Sequence, residues 1–480
     1  MLFFNRHGFS LVGPSWFFLK YALWDGSEMK SNVVFFARDY QAVLFPKLKS
    51  GKYDSVYVTL THRERIYIES LGLKVAGCFE DDFEILQPSN LPDDYLITSY
   101  VTDRYLGEYS LEERKLVLAK EKAFWEKIFE SYKPIAVVNE VVAIEMAEVM
   151  YIEAKKRNIR YLAGLASPFD ERNLFWAKSA IHSALDAEIF NNEPSIESIR
   201  FAKSYLQKFL DNDNVKPFYA RRLKSRYNPL VFIRILLSFV LNLIRSLIIR
   251  PKIKYLRCYY FDRADGVRRI MNYINSFIYK YDNLNQHDKI VFYPLQYEPE
   301  ASLLYMSEFN ENQIGLIRNL AKCLKSNQAL VVKEHPSQPG MLLSNKFRLL
   351  RKETSNLIYL PSEYSTKQLL LKSSLIITQT STAGWEAILL GRPVVVLGKQ
   401  YYDKYPYINT FNGFEKLKEA IRNDRLLYPD NDATVRYIAQ MWENCREGNP
   451  FPNKNLYHED NIKKIINAIE IELISGTIPD

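Results

Sequence analysis

The sequence predicts an α/β protein built of two parallel-sheet domains, and three observations carry that prediction. Short apolar runs of strand length alternate with helical periods twice along the chain, over residues 33–163 and again from residue 289. The polar clusters of the second half fall directly after such runs, where parallel strands present their carboxyl ends. One stretch, Leu375 to Gly398, reads as a complete strand, loop, helix, loop and strand.

In the first half, Val33–Ala37 and Ser55–Thr59 are predicted strands, each followed by a helix, over 41–49 and over Glu64–Leu71, the latter closed by Gly72. A long helix over Leu111–Tyr132 leads to a strand at Pro134–Val138, with Asn139 and Glu140 at its carboxyl end. A helix over Val141–Arg157 and a strand at Arg160–Ala163 complete an α/β domain assigned to residues 1–190. Residues 191–288 read as a helical, basic linker. The second α/β domain, residues 289–480, has strands at Lys289–Tyr293, Ala329–Lys333, Leu357–Leu360, Leu375–Thr378 and Val394–Leu397. Helices are predicted over 310–326, 364–372, 413–423 and 461–474.

Composition narrows the function classes. With 47% hydrophobic and 25% charged residues in 480, the chain buries large cores. Cys78, Cys258, Cys323 and Cys445 lie far apart without CxxC spacing, so neither a disulfide framework nor a zinc site is indicated and a reducing cytosol is the simplest home. The first residues lack the basic end, apolar core and small-residue cleavage site of a signal peptide, so a cytoplasmic location is expected. The net charge of +8 is local: Asn214–Phe261 holds eleven Lys or Arg and no acid, leaving −3 for the rest.

Within that segment, residues 229–250 form a greasy helix. Its longest uncharged run, Ile235–Ile244, is ten residues, short of the ~20 needed to span a bilayer. At ~100° per residue, Arg234, Ser238, Asn242 and Arg245 share one stripe and the remainder is apolar. The pattern predicts a helix in a membrane interface, with Arg234, Arg245, Arg250, Lys252 and Lys254 facing anionic lipid. The competing reading buries the helix between the domains. A greasy centre disfavours nucleic acid.

Three clusters follow strands of the second domain: Gln296/Glu298/Glu300/Ser302, Glu334/His335/Pro336 and Thr378–Thr382. Adjacent carboxyl ends would bring them to one crevice. Ser381 or Thr382 caps the next helix, and hydroxyls with free N–H groups at a helix start suit a phosphate. Pro336 restricts His335 to an extended backbone, from which the imidazole can hold that phosphate by hydrogen bond or charge. Glu386, one turn into the helix, either accepts from ribose hydroxyls or lies on a solvated helix face. Glu140 is either a general base facing a cleft or a helix-capping acid. Glu80-Asp81-Asp82 reads as a solvated turn. Asp211-Asn-Asp213 and Asp430-Asn-Asp432 follow no buried strand and are not read as metal sites; P-loop, HExxH and GxSxG motifs are absent.

Lys333-Glu-His-Pro336, then Thr378-Gln-Thr-Ser-Thr-Ala-Gly-Trp-Glu-Ala and Gly391-Arg-Pro-Val-Val-Val-Leu-Gly398, resemble the bacterial capsule polysaccharide synthesis family, which includes Kdo transferases and is similar in design to bacterial sialyl- and polysialyltransferases. Pro294-Leu-Gln296 resembles that family's Pro-x-Gln strand end, and the resemblance spans residues 289–400. It implies a GT-B fold, two Rossmann-like domains facing a central cleft. It also implies a nucleotide-sugar donor, with a CMP-activated acid favoured, and neither metal nor cofactor. Donor contacts fall to Gln296, Glu334, His335, Pro336, Thr380, Ser381, Thr382, Gly384 and Glu386, with His335 catalytic and Glu140 the acceptor-side base if the enzyme inverts. The expected acceptor is a glycan or lipid-linked glycan at the inner membrane face. Two rivals remain: a polyol-phosphate transferase of teichoic-acid type using CDP-glycerol, and a non-catalytic scaffold of a capsule assembly complex.

Overall fold

The structure is a computed structural model that describes residues 30–92, 95, 106, 109–141, 143–170, 172–177, 187–211, 229–248, 250–278, 280–284, 289–298, 300–341 and 345–475. Basic residues 216, 221, 222, 224 and 226, and residue 213 of the first Asp-Asn-Asp triplet, lie outside them.

The first sheet holds β1 (Ser31–Phe36), β2 (Tyr53–Thr59), β3 (Val75–Cys78), β4 (Ala136–Glu140), β5 (Arg160–Ala166) and β6 (Leu174–Ala177). Their order is β3-β2-β1-β4-β5-β6, and only the β5–β6 pair is antiparallel. Side chains alternate between faces, as the two-residue period of a strand requires. Val34 and Phe36 enter one core with Trp125, while Val33 and Phe35 enter another on the opposite face. Helices α1 (His62–Ser70), α2 (Phe79–Asp82), α3 (Leu111–Tyr132) and α4 (Glu145–Lys156) follow strands or cover them. α1 and α3 each open with a capping box, Thr61 with Glu64 and Ser110 with Glu113, satisfying donors that a helix start leaves unpaired.

After α5 (Ile196–Asp211) come α6 (Pro229–Ile248), α7 (Arg257–Tyr260) and α8 (Arg263–Ile278). The second sheet comprises β7 (Lys289–Pro294), β8 (Gln328–Lys333), β9 (Leu357–Leu360), β10 (Ser373–Thr378) and β11 (Val394–Val396). It is parallel throughout, in the order β11-β10-β7-β8-β9. Its helices are α9 (Ala301–Met306), α10 (Gln313–Cys323), α11 (Asn345–Glu353), α12 (Thr366–Lys372), α13 (Thr382–Leu389), α14 (Phe414–Arg422), α15 (Asn431–Asn444) and α16 (Glu459–Ser475). Because β10, β7 and β8 are consecutive, the three polar loops that follow them are neighbours. The expected α/β class and the two parallel sheets are both present.

The domains exchange elements that the residue division above keeps apart. α16, grouped with the second domain, packs on the first: Ile462, Ile465 and Ile469 join Val33, Phe35 and Leu162. Arg160 ties it down by donating to the carbonyls of Glu472 and Leu473 at 2.8 and 3.1 Å. α5, grouped with the linker, packs on the second domain, where Tyr205 accepts from the Trp385 indole at 3.2 Å. β3 escaped the sequence reading because Gly77 breaks its apolar run. A side chain there would press on Ile128 and Phe124 of α3. Asp430 caps α15, accepting from the Ala433 N–H at 2.8 Å, which accounts for the second Asp-Asn-Asp triplet.

Candidate active site

The loops after β7, β8 and β10 are joined side chain to side chain. The Thr380 hydroxyl donates to the Gln296 amide oxygen at 3.2 Å. The Tyr293 hydroxyl lies between the amide oxygens of Gln379 (2.6 Å) and Gln313 (3.1 Å), and the Gln313 amide donates to Glu298 at 2.7 Å. Glu298 N–H donates to Gln338 of the His-Pro loop at 2.8 Å. Tyr297 then meets His335 edge to face, with ring centroids 5.8 Å apart. A continuous set of contacts therefore runs from Thr380 through Gln296 and Tyr297 to His335. Buried polar groups so completely engaged hold a site rigid before any ligand arrives.

His335 is a hydrogen-bond donor, not a cation. Its Nδ1 accepts the Ser337 N–H at 3.2 Å, so the neutral ring carries its proton on Nε2. Burial, with Lys333 nearby, lowers its pKa to about 4. The folded state thus keeps the ring neutral at a pH where the unfolded chain protonates it. Stability is fully present above pH 6.5 and is lost as pH falls towards 4, by up to about 3 kcal/mol. His335→Gln is expected to flatten that part of the pH–stability curve, measured by chemical denaturation at pH 7, 5.5 and 4.5. An unchanged slope would contradict the shift.

Other expected donor residues divide. Ser381 caps α13, its oxygen accepting from Ala383 N–H at 3.1 Å, and its own N–H donates to Thr378 Oγ1 at 3.1 Å. Some of the N–H groups expected to be free are therefore used internally, although a capping hydroxyl retains its proton for a ligand. Thr382 begins the helix and is partly exposed. Pro336 is partly buried beside His335, and Glu386 lies near Tyr205 of α5. The Glu334 assignment is corrected, and Gly384 has a packing role of its own. Glu334 turns into the domain, accepting from Tyr281 (2.8 Å), Tyr359 (2.9 Å) and the Gly340 N–H, so it braces the His335 loop instead of facing a donor. Gly384 is required by packing, since a side chain there would collide with Tyr402 and Thr378.

In the first domain, Glu140 ends β4 in contact with two residues the sequence did not single out. Arg38, at the end of β1, donates to one carboxylate oxygen, and Tyr40 donates to the other at 3.1 Å. Arg38 is buried and Glu140 keeps 21% of its side chain exposed. Burial works against the guanidinium, yet Glu140 and neighbouring groups hold it firmly charged. β1 and β4 are adjacent, so this pair follows from strand order, though 102 residues separate its members.

The acidic turn is also corrected. Glu80 is buried and accepts from the Lys252 N–H (2.6 Å), Tyr260 (2.7 Å) and His62 N–H (2.7 Å), while Asp81 pairs with Lys252 and Arg65. The segment 251–260 is thereby strapped across the carboxyl edge of the first sheet. Tyr259 continues the strap, donating to Glu64 at 3.1 Å. Lys252, and Lys254 paired with Glu113 at 3.6 Å, are balanced by acids of the first domain and are withdrawn from the expected lipid-facing set.

A cavity of about 530 Å³ lies among α6, the strap, α8 and the loop after β7, and it is lined by residues that neighbour Arg38 and His335, not by Glu140 or His335 themselves. Tyr259, beside Arg38, lines one side, and Tyr297, against His335, lines another. Arg234, Ser238 and Asn242, three of the four members of the predicted stripe on α6, also line it. Among the described residues, no cluster of three or more His, Cys, Asp or Glu is arranged around a metal position.

These motifs fall inside a region with known relatives. Residues 250–413 match the capsule polysaccharide biosynthesis protein family. That match, roughly a third of the chain, contains all three loops as well as the strap and α8. Among solved structures, the chain is similar to two Thermosulfurimonas dismutans KpsC proteins. The beta Kdo 2,4 transferase is 14% identical, over 70% of this chain and 87% of that one, with a TM-score of 0.37. The beta Kdo 2,7 transferase is 11% identical, over 92% and 100%, with a TM-score of 0.35. A UDP-GlcNAc 2-epimerase from Neisseria meningitidis is 14% identical, over 93% and 100%, with a TM-score of 0.25. No curated protein matches the chain.

Proposed function

We propose that the chain is a glycosyltransferase of capsular or other surface polysaccharide synthesis, moving a sugar from a nucleotide-sugar donor to a glycan or lipid-linked acceptor. One observation carries the reading: the loops after β7, β8 and β10 are linked, through Thr380, Gln296 and Tyr297, from the residue preceding the Ser381 cap of α13 to a neutral His335. His335 Nε2–H and the hydroxyls of Ser381 and Thr382 donate to the donor phosphate. As the glycosidic C–O bond breaks, charge grows on the departing phosphate oxygen, and preorganised donors stabilise it more than they stabilise the ground state.

On the first-domain side, Glu140 receives the acceptor hydroxyl proton as that oxygen bonds to the anomeric carbon, a single displacement that inverts the centre. Arg38 and Tyr40 fix the carboxylate's orientation. The reading assigns leaving-group charge to side chains and to the α13 N-terminus, and it calls on no metal or further cofactor. It places the enzyme at the cytoplasmic membrane face, with α6 against anionic lipid. Among the described residues, no helix is long and apolar enough to cross a membrane.

The test is a thermal-shift screen against CMP, UDP, GDP and CDP-glycerol, with the corresponding nucleotide sugars. One nucleotide family should raise the midpoint, equivalent to about 2.7 kcal/mol at a hundredfold excess over its Kd; a CMP-activated acid sugar is the first candidate. Selective stabilisation by CDP-glycerol, with a phosphodiester product, would replace the reading with polyol-phosphate transfer. No shift with any ligand would favour the scaffold.

A further inference from the structure

α6 and α8 lie side by side and leave apolar stripes uncovered. Phe232 of α6 stacks on Tyr273 of α8 with centroids 5.1 Å apart, and Phe239 sits over Gly266, where a side chain would displace it. On the outer side of α6, Ile233, Leu237, Leu241, Ile244 and Ile248 are exposed at spacings of three and four, up to 77% at Ile248. α8 repeats the pattern with Val267, Met271, Ile274 and Phe277. The opposite side of α8 is buried through Asn272, Tyr273 and Ser276. An exposed apolar band across two packed helices marks an interaction surface.

Charge selects the occupant. Between Pro229 and Lys280 there are ten Lys or Arg and two Asp or Glu, and eight basic residues remain once Lys252 and Lys254, balanced by the first domain, are set aside. A second copy docked on this face would bring two strongly positive segments together, which like-charge repulsion opposes. An anionic lipid surface attracts the same charge while taking up the apolar side chains.

The face is also clamped to the donor site. Gly340, which ends the His335 loop with φ at +74°, lies so close to α8 that a side chain would run into the Asn272 carbonyl. Glu334 links the same loop to Tyr281, just beyond α8, at 2.8 Å. The loop therefore rests on α8, and whatever orders α8 orders the loop.

We propose that α6 and α8 form one docking face for an anionic membrane, and that seating it on lipid tightens nucleotide binding at the His335 loop. The second half rests on the transferase reading; the first does not. Coupling of this kind is a difference in loop order between free and docked protein, and it raises affinity without a new contact to the ligand.

The full chain is floated with phosphatidylglycerol and with phosphatidylcholine vesicles, beside a Met271→Ser/Phe277→Ser variant. Both side chains are exposed, so the variant should keep its thermal midpoint. The intact protein should float with the anionic vesicles, and the variant should bind them roughly tenfold or more weakly. The Kd of the nucleotide chosen by the thermal screen should fall by about fivefold or more when anionic vesicles are added, with no change for the variant. A variant that floats like the parent overturns the role of α8, and a lipid-independent dimer abolished by the same substitutions overturns the membrane as occupant. Flotation without any change in nucleotide Kd overturns the coupling. If no nucleotide binds in either condition, the transferase reading and the coupling fail together, and flotation still decides the docking face.

Discussion

His335→Ala is expected to lower kcat/KM by about 100- to 1,000-fold, the effect of deleting one preorganised donor from a site of developing negative charge. The expectation rests on the ring's protonation state. With Nδ1 accepting from Ser337 and burial opposing a second proton, the imidazole offers one N–H and no charge. A neutral donor predicts its own pattern of rescue: His335→Gln, which supplies an uncharged N–H, should recover part of the activity. His335→Lys supplies charge in the wrong geometry and at the cost of burying a cation next to Lys333, so it should recover less. The site should survive these changes, because Glu334, Tyr281 and Tyr359 brace the loop independently of the ring. Steady-state kinetics on the three variants measures the effect. Recovery by lysine above glutamine would mean that the histidine acts as a cation and would reverse the assignment.

The sequence discloses strand ends better than it discloses what meets there. Apolar runs such as Val331-Val332 and Leu375–Ile377 locate buried parallel strands, and the polar residues after them must lie on one edge. That logic finds Gln296, His335 and Thr380, and their contacts bear out the convergence. It fails where a residue's fate depends on a distant partner. Glu334 and His335 are adjacent and polar, yet one is held between Tyr281 and Tyr359 and the other packs against Tyr297. Glu80 and Asp81 look solvated until the strap carrying Lys252 and Tyr260 arrives from 171 and 180 residues away. The apolar stripe of α8 was concealed by the arginines and asparagines interleaved with it, and only the α6–α8 contact reveals which side is covered. Arg38 gives no local signal at all, because its meaning comes from the adjacency of β1 and β4.

Glu140→Gln is the sharper test of mechanism and should reduce kcat by about 10²- to 10⁴-fold, the range for loss of a positioned general base. The amide preserves shape, its oxygen can still accept from Arg38 and its NH2 can donate to a turned Tyr40 hydroxyl, so donor binding and fold should be retained although Arg38 loses its counter-ion. Glu140→Ala is a different experiment: it removes the hydrogen-bond partner of the buried Arg38 as well as its counter-ion and would cost about 3–5 kcal/mol of stability, more than the Gln variant. Comparing the two variants separates chemistry from structure. If Glu140 only holds Arg38 in place, the Gln variant should lose little rate, while the Ala variant should lose rate in step with stability. If Glu140 accepts the proton, both variants should lose rate alike, and the Gln variant should do so with a smaller fall in thermal midpoint than the Ala variant and an unaltered nucleotide-induced shift. A Gln variant within a few-fold of the parent kcat would remove Glu140 from the chemistry and leave the Arg38–Glu140 pair as a brace between β1 and β4.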